Sequence, residues 1–186
     1  MIKLLSHSKL NKNGPCFWGF LLIPLFGFAQ LTFIESGEGI LIKEDSINVL
    51  FYQKQIKSIA GEFARNNYVH PLYGIDGSVL TEDFPKDHLH HRGVFWAWHQ
   101  VQIGNTPIGD SWECRDFSWN LKDVSISESG KNLKLTFATH WESPIWLNQE
   151  GNQKPFLLEN TTIIVNPKKG NYRIISFEIS LLALEK

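Results

Sequence analysis

The chain has 186 residues, 42% hydrophobic and 20% charged, a composition that excludes a disordered protein and suits one domain with a real core. The formal net charge is −1, and without Lys3, Lys9 and Lys12 near the N-terminus 15 basic and 19 acidic side chains remain, a net of −4. That balance excludes a basic footprint for nucleic acid or for an anionic membrane surface.

The chain opens on a basic, polar stretch followed by an apolar run, Phe17 to Ala29. The run is short of the ~20 apolar residues that span a bilayer, and Pro24 interrupts it. Residues 1–29 therefore read as an export signal cleaved after the small Ala29, which predicts a periplasmic or secreted protein with no later membrane span. Cys16 precedes the run and is badly placed for lipid attachment. Cleavage leaves Cys114 alone, so no internal disulfide is expected.

Residues 30–186 read as a single β-rich domain. Leu41 to Tyr52 holds two short strand-like runs, with Ile47, Val49 and Phe51 expected on one face. Residues 54–92 form a long irregular stretch with a turn at Gly74-Ile75-Asp76-Gly77. Its Tyr68, His70, Tyr73 and Phe84 predict that it packs down onto the fold. Val94 to Val101 reads as a strand, with Phe95, Ala97, His99 and Val101 on one face and Val94, Trp96, Trp98 and Gln100 on the other. In residues 133–141, Leu133, Leu135, Phe137 and Trp141 alternate with Lys134, Thr136 and His140. Thr161–Val165 and Tyr172–Leu184 are β-prone runs joined by a hairpin loop, Asn166 to Asn171. With no sustained amphipathic helix and no repeat, the expected architecture is an antiparallel β-sandwich or a related barrel. The chain stops two residues after Leu184, just beyond an apolar strand. That ending predicts a domain continuing past residue 186, since an unpaired edge is an association hazard.

The chemistry-bearing residues concentrate in Asp87 to Gln100, DHLHHRGVFWAWHQ. Four of the six His after the leader, His88, His90, His91 and His99, lie there. On an extended segment His88 and His90 point one way and His91 the other. Three chemistries fit these residues. His90, His91 and His99 can act as general acid and base with Asp87 or Glu113, because imidazole both takes and gives a proton near neutral pH; Glu82 and Asp83 are further carboxylate partners. His88 and His90, with Asp87, can bind a divalent metal. Trp96, Trp98 and Trp112 can form a stacking platform for a sugar ring, with His70 and Arg92 binding its hydroxyls. The bland alternative is a loop pinned to a sheet by imidazole hydrogen bonds, with the Trp in the core. The cluster DSWECRDFSW, with Asp110, Trp112, Glu113, Arg115 and Asp116, reads as a solvated loop or as a further wall of the site. Cys114 reads as an inert buried thiol and His140 as structural. Asn160-Thr161-Thr162 fits a glycosylation acceptor where the secretory pathway is eukaryotic.

Three stretches, NYVHPLYGIDGSVLTEDFPKDHLHHRGVFWAWHQV at 67–101, GDSWECRDFSW at 109–119 and the final hairpin, together resemble the bacterial family labelled methane oxygenase PmoA, or PmoA-like. Members of that family are usually longer by about a hundred residues, roughly one modest domain's worth. The label fits a multi-span membrane subunit, which a chain with one short apolar segment is not. The resemblance implies kinship with proteins found among bacterial sugar-degradation genes. It further implies a mutarotase-like β-sandwich, with His as acid and a carboxylate as base on a small carbohydrate. The reactions in view are epimerisation, lyase action or hydrolysis, and a non-catalytic carbohydrate-binding sandwich is the other class.

Overall fold

The computed structural model describes residues 30–185; the expected export segment and Cys16 lie outside the described residues. In chain order the strands are β1 (Leu31–Glu35), β2 (Gly39–Glu44), β3 (Ile47–Gln53), β4 (Lys57–Ile59), β5 (Glu62–Arg65), β6 (Tyr68–Leu72), β7 (Val101–Ile103), β8 (Thr106–Gly109), β9 (Ser118–Ser129), β10 (Asn132–Glu142), β11 (Leu157–Val165) and β12 (Ile175–Ala183). Two four-stranded sheets, ordered β1-β2-β3-β6 and β12-β11-β10-β9, are accompanied by the hairpins β4-β5 and β7-β8. All these pairings are antiparallel. No helix occurs among the described residues, and the expected all-β antiparallel class is the one observed.

The alternation in residues 133–141 produces β10 as expected. Leu133, Leu135, Phe137, Thr139 and Trp141 are buried, and His140 lies with the partly exposed set. The sheets meet on the faces bearing Ile40, Ile42, Leu50, Tyr52 and Val69 on one side and Leu133, Leu135, Phe137, Ile163 and Val165 on the other. Tyr52 stacks on Phe137 with ring centroids 4.0 Å apart. The expected face of β3 is corrected. Leu50 and Tyr52 point into the core, while Ile47 is 39% exposed. Ile42 pairs with Leu50 but Lys43 pairs with Asn48, so Val49 is an extra residue in the ladder. One inserted residue exchanges the two faces of a strand.

A polar network crosses this apolar interior. Glu159 is fully buried. Its carboxylate accepts hydrogen bonds from Asn67 Nδ2 at 2.9 Å, Thr161 Oγ1 at 2.8 Å and Trp141 Nε1 at 2.7 Å. Tyr52 donates to Asn67 Oδ1 at 2.7 Å. A buried carboxylate costs several kcal/mol unless donors surround it; here three do, two from the second sheet and one from Asn67, just before β6. Burial, and then the nearby Glu159 charge, hold the Tyr52 phenol well above its ordinary pKa. At one end of the sandwich Glu44 of β2 accepts from the Lys168 backbone N–H at 2.9 Å and from Arg173 at 2.6 Å. That ties the first sheet to the β11–β12 turn, the hairpin loop expected at Asn166 to Asn171.

The long stretch 54–92 packs down as expected. It contains β4, β5 and β6, and Tyr68 is fully buried. The turn at Gly74 to Gly77 closes through a hydrogen bond from Gly77 N–H to Gly74 O at 3.0 Å.

Candidate functional site

Two buried arginines hold the loops that carry the candidate residues. Arg92 is wholly inaccessible. Its Nε donates to Asp83 Oδ1 at 2.6 Å, Nη1 to the carbonyls of Lys57 and Phe63 at 3.2 and 2.7 Å, and Nη2 to Tyr68 Oη at 2.7 Å. Tyr68 in turn donates to Asp83 Oδ2, which also receives Lys57. The guanidinium lies 3.6 Å from the Phe84 ring centroid. Burial alone would raise the Asp83 pKa, but the hydrogen bonds and charges of Arg92 and Lys57 hold it below the usual carboxylate value. The expectation that Arg92 binds substrate is thereby corrected, because its donors are directed at protein groups and none faces solvent.

Arg65, at the end of β5, is 1% exposed. It donates to Trp96 O at 2.9 Å and Ser111 O at 3.1 Å, between the rings of Phe95 and Trp119 at 4.6 and 4.0 Å. Burial pushes its pKa down to about 10, so it remains a cation at neutral pH. Ser111 completes the clip: its Oγ accepts from Trp98 N–H at 2.8 Å and donates to Trp98 O at 3.0 Å.

Val94 to Gln100 is not a ladder strand. Only Val94 bridges, to Val69 of β6, through N–H···O bonds of 3.0 Å in both directions. Gly93 permits this approach: its φ is +71°, and a Cβ there would sit 2.4 Å from Val69 O. The expected parity survives in part: Val101, expected on the face of Phe95 and His99, packs instead beside Trp96 against the second core cluster. Phe95 and His99 both reach Trp112, at 5.6 and 5.4 Å between centroids. Trp96 joins the second core cluster of Ile108, Phe117, Trp119, Trp141 and Phe156. Trp98 packs 5.4 Å from Trp141 with half its surface exposed. Trp96 and Trp98 thus stand apart from Trp112 and do not form one platform with it.

The expected orientation of the first three imidazoles is overturned. His88 N–H bonds to Pro85 O and His91 N–H to His88 O, so the segment turns where an extended run was expected. His88 and His91 consequently stack, 4.8 Å apart and 8° from parallel. His90 meets His91 edge-on at 4.5 Å. Both His90 and His91 contact Trp112, at 6.1 and 5.5 Å. His88 Nδ1 lies 3.1 Å from Asp87, and His90 Nδ1 lies 3.9 Å from Glu113 Oε2. The imidazoles meet by ring faces and edges, and among the described residues no three His, Cys, Asp or Glu side chains converge as a metal donor set. The metal site expected at His88 and His90 does not assemble.

Asp110 supplies the best-built polar contact. Its Oδ1 accepts the backbone N–H groups of Trp112 and Glu113 at 3.0 and 2.9 Å. Its Oδ2 accepts Gln100 N–H at 3.1 Å and lies 3.0 Å from His99 Nδ1. Burial would raise the Asp110 pKa, but these hydrogen bonds hold it low. An ionised carboxylate only accepts, so the proton sits on His99 Nδ1 and leaves the Nε2 lone pair free. The His99 side chain is 55% exposed and Asp110 5%, so a solvent-facing base stands on a buried orienting group. Sequence reading placed Asp110 only in a polar cluster and did not single out Arg65 or Ser111. The Asp110 signal was present, since an Asp whose side chain caps the second and third following N–H groups is a common local turn.

His70 lies on β6, beside Gly93. Its Nδ1 is 3.0 Å from Thr81 Oγ1, and it borders a depression of about 410 Å³ with Glu38, Phe51, Gln53, Gln55 and Lys57. Among these residues only His70 belongs to the expected set; its Cβ lies against Gly93, but no ring contact among the described residues joins it to the imidazoles around Trp112. A larger depression, about 500 Å³ between Leu31 and the β9–β10 turn, contains none of the candidate residues.

Stability is expected to depend on pH through His90 and His70. The His90 side chain is 14% exposed; burial, opposed by Glu113 and reinforced by His91, His88 and His99, holds its pKa below the ordinary value. Burial lowers His70 likewise. Near the ordinary imidazole pKa of about 6.5 the folded state therefore binds fewer protons than the unfolded chain. This contribution to stability is complete above that pH and is lost as pH falls through it toward the folded values. Urea midpoints are expected to drop between about pH 7.5 and pH 5, less steeply in His90→Gln. A flat profile for the parent protein would contradict the assignment.

No curated protein and no solved structure matches the chain. A family of unknown function, DUF6807, matches residues 40–186, which takes in the second sheet, the first sheet apart from β1 and the first residue of β2, the imidazole cluster and the Asp110 turn. On that coverage the chain belongs to the DUF6807 family.

Proposed function

We propose that the protein is an exported acid–base catalyst acting on a carbohydrate. The observation that carries this reading is the His99–Asp110 pair, set at 3.0 Å beside Trp112. Asp110 fixes the tautomer and stabilises the imidazolium that forms when Nε2 takes a proton from a sugar carbon or hydroxyl. The lowered pKa of His90 keeps that ring neutral at pH 7, able to accept or donate one hydrogen bond. His91 flanks it, and Glu113 is the second carboxylate. Trp112 and Phe95 offer apolar ring faces of the kind on which sugars stack. The resemblance to proteins of sugar-degradation genes supports the substrate class, the mutarotase-like form of the sandwich is proposed on the same ground, and the basic-then-apolar N-terminus supports export.

The test is deuterium incorporation from D2O into a panel of neutral and acidic sugars, followed by NMR. Changing His90 and His91 together to Ala is expected to cut exchange by at least about 100-fold with circular dichroism unchanged. Full retained exchange in that variant removes both residues from the catalytic set. A non-catalytic sugar-binding module is the second reading, favoured by the openness of the cluster, in which His88 and His99 are each more than half exposed. It predicts saturable quenching of Trp fluorescence by a sugar and no product.

A further inference from the structure

A further depression, of about 480 Å³, is bordered by the turn before β6, the start of β9 and the end of β10. Asn66, Ser118, Asn120, Glu142 and Gln153 line it, together with Lys54 and Ile56. None of these residues belongs to the imidazole cluster or to the His70 depression. All of them come from residues 54–153, and none from β11 or β12.

The fold leaves the polar groups of this lining half used. Asn66 is 5% exposed. Its Nδ2 donates to Lys54 O at 3.1 Å, which fixes the amide, and its Oδ1 has no donor among the described residues. A buried amide oxygen without a donor is costly, and it calls for a partner from outside the fold. Glu142, whose side chain is 13% exposed, accepts Asn120 Nδ2 on Oε1 at 3.0 Å, and no described residue donates to its Oε2. Gln153 Oε1 accepts Ser118 Oγ at 2.9 Å, which leaves the Nε2 hydrogens as donors. The lining thus keeps two acceptors unused, Asn66 Oδ1 and Glu142 Oε2. It also keeps two donors, Gln153 Nε2 and the second hydrogen of Asn120 Nδ2.

We propose that this depression binds a neutral saccharide, at a site separate from the His99–Asp110 pair. A hydroxyl group both donates and accepts, so neighbouring hydroxyls on one ring serve both kinds of unused group together. Charge argues against an acidic sugar. Lys54 is already taken by Glu35 at 2.6 Å, which leaves Glu142 as a negative charge with no lysine or arginine against it. A simple cation fits no better, because the unused donors of Asn120 and Gln153 would face its positive charge. Ile56, 59% exposed, supplies apolar surface against which the C–H groups of a sugar ring can pack.

The test is an NMR titration of the full chain with glucose, cellobiose and glucuronate to about 100 mM, a ceiling well above millimolar affinity. It needs no turnover, so it stands or falls apart from the deuterium-exchange test of catalysis. The side-chain amide signals of Asn66, Asn120 and Gln153 are expected to shift together and saturate with glucose or cellobiose. Glucuronate is expected to bind about threefold more weakly. Asn120 and Gln153 are exposed, so Asn120→Ala and Gln153→Ala leave the fold intact. Each is expected to weaken binding about three- to tenfold, the loss of one hydrogen bond. An Asn66 signal that stays still under all three sugars overturns the proposal. So do shifts confined to residues around Trp112, which put the sugar at the imidazole cluster. Binding indifferent to both substitutions, or glucuronate bound as tightly as the neutral sugars, overturns it too.

Discussion

Replacing Arg92 by Ala is expected to destabilise the fold by about 3–5 kcal/mol, the range for removing one partner of a buried ion pair. The magnitude follows from what is left behind. Asp83, whose side chain is 7% exposed, would keep Lys57 and Tyr68 but lose its closest donor, and the carbonyls of Lys57 and Phe63 would lose theirs. Chemical denaturation followed by Trp fluorescence measures the loss. A companion variant separates charge from packing. Arg92→Met together with Asp83→Leu removes both charges and is expected to recover part of the stability, because two apolar side chains do not strand a buried ion. A loss below about 1 kcal/mol in Arg92→Ala, the level of an exposed pair, would show that solvent reaches the guanidinium and would reopen Arg92 as a ligand-binding group.

The second large effect is on turnover. Asp110→Asn is expected to slow the proposed proton transfer by about 10²- to 10⁴-fold. With the amide oxygen kept on the Trp112 and Glu113 N–H groups, the amide nitrogen faces His99 Nδ1 and donates to it. The imidazole proton then moves to Nε2, which removes the lone pair that takes the substrate proton. The lost bond from Gln100 costs about 1–3 kcal/mol, which the folded state survives. Imidazole nitrogen chemical shifts of His99 would report the tautomer directly, without a substrate. If the shifts of the variant match those of the parent, Asp110 does not set the proton position and the catalytic assignment of the pair falls.

How much of this was legible in the sequence depends on the range of the interactions involved. The alternation of Leu133, Leu135, Phe137 and Trp141 is a local pattern, and β10 follows from it. The opposite sides taken by Phe95 and His99 against Trp96 and Trp98 also follow from local parity, even though residues 95–100 pair with no strand. The imidazole orientation did not follow, because the turn from Pro85 to His91 breaks the period-two geometry on which the reading depended. The face of β3 was misread for a related reason: one extra residue at Val49 reverses the count. Arg65 and Arg92 were the hardest. A charged residue in the sequence reads as exposed, and only partners far along the chain, such as Ser111 O for Arg65 and Phe63 O and Tyr68 Oη for Arg92, make its burial tolerable.

Those two arginines also decide how the site behaves in time. The backbone of the imidazole loop and of the Asp110 turn is bolted to side chains inside the fold, so neither segment can swing as a flap without exposing a buried cation. The amides from Arg92 to Trp98 are therefore expected to open with the whole sandwich, in one cooperative event, and not in a separate low-energy fluctuation. A visiting molecule meets a rigid, already assembled surface. Adjustment to it falls to rotation of the solvent-facing ring of His88, which is over in nanoseconds, and capture proceeds without a slow gating step.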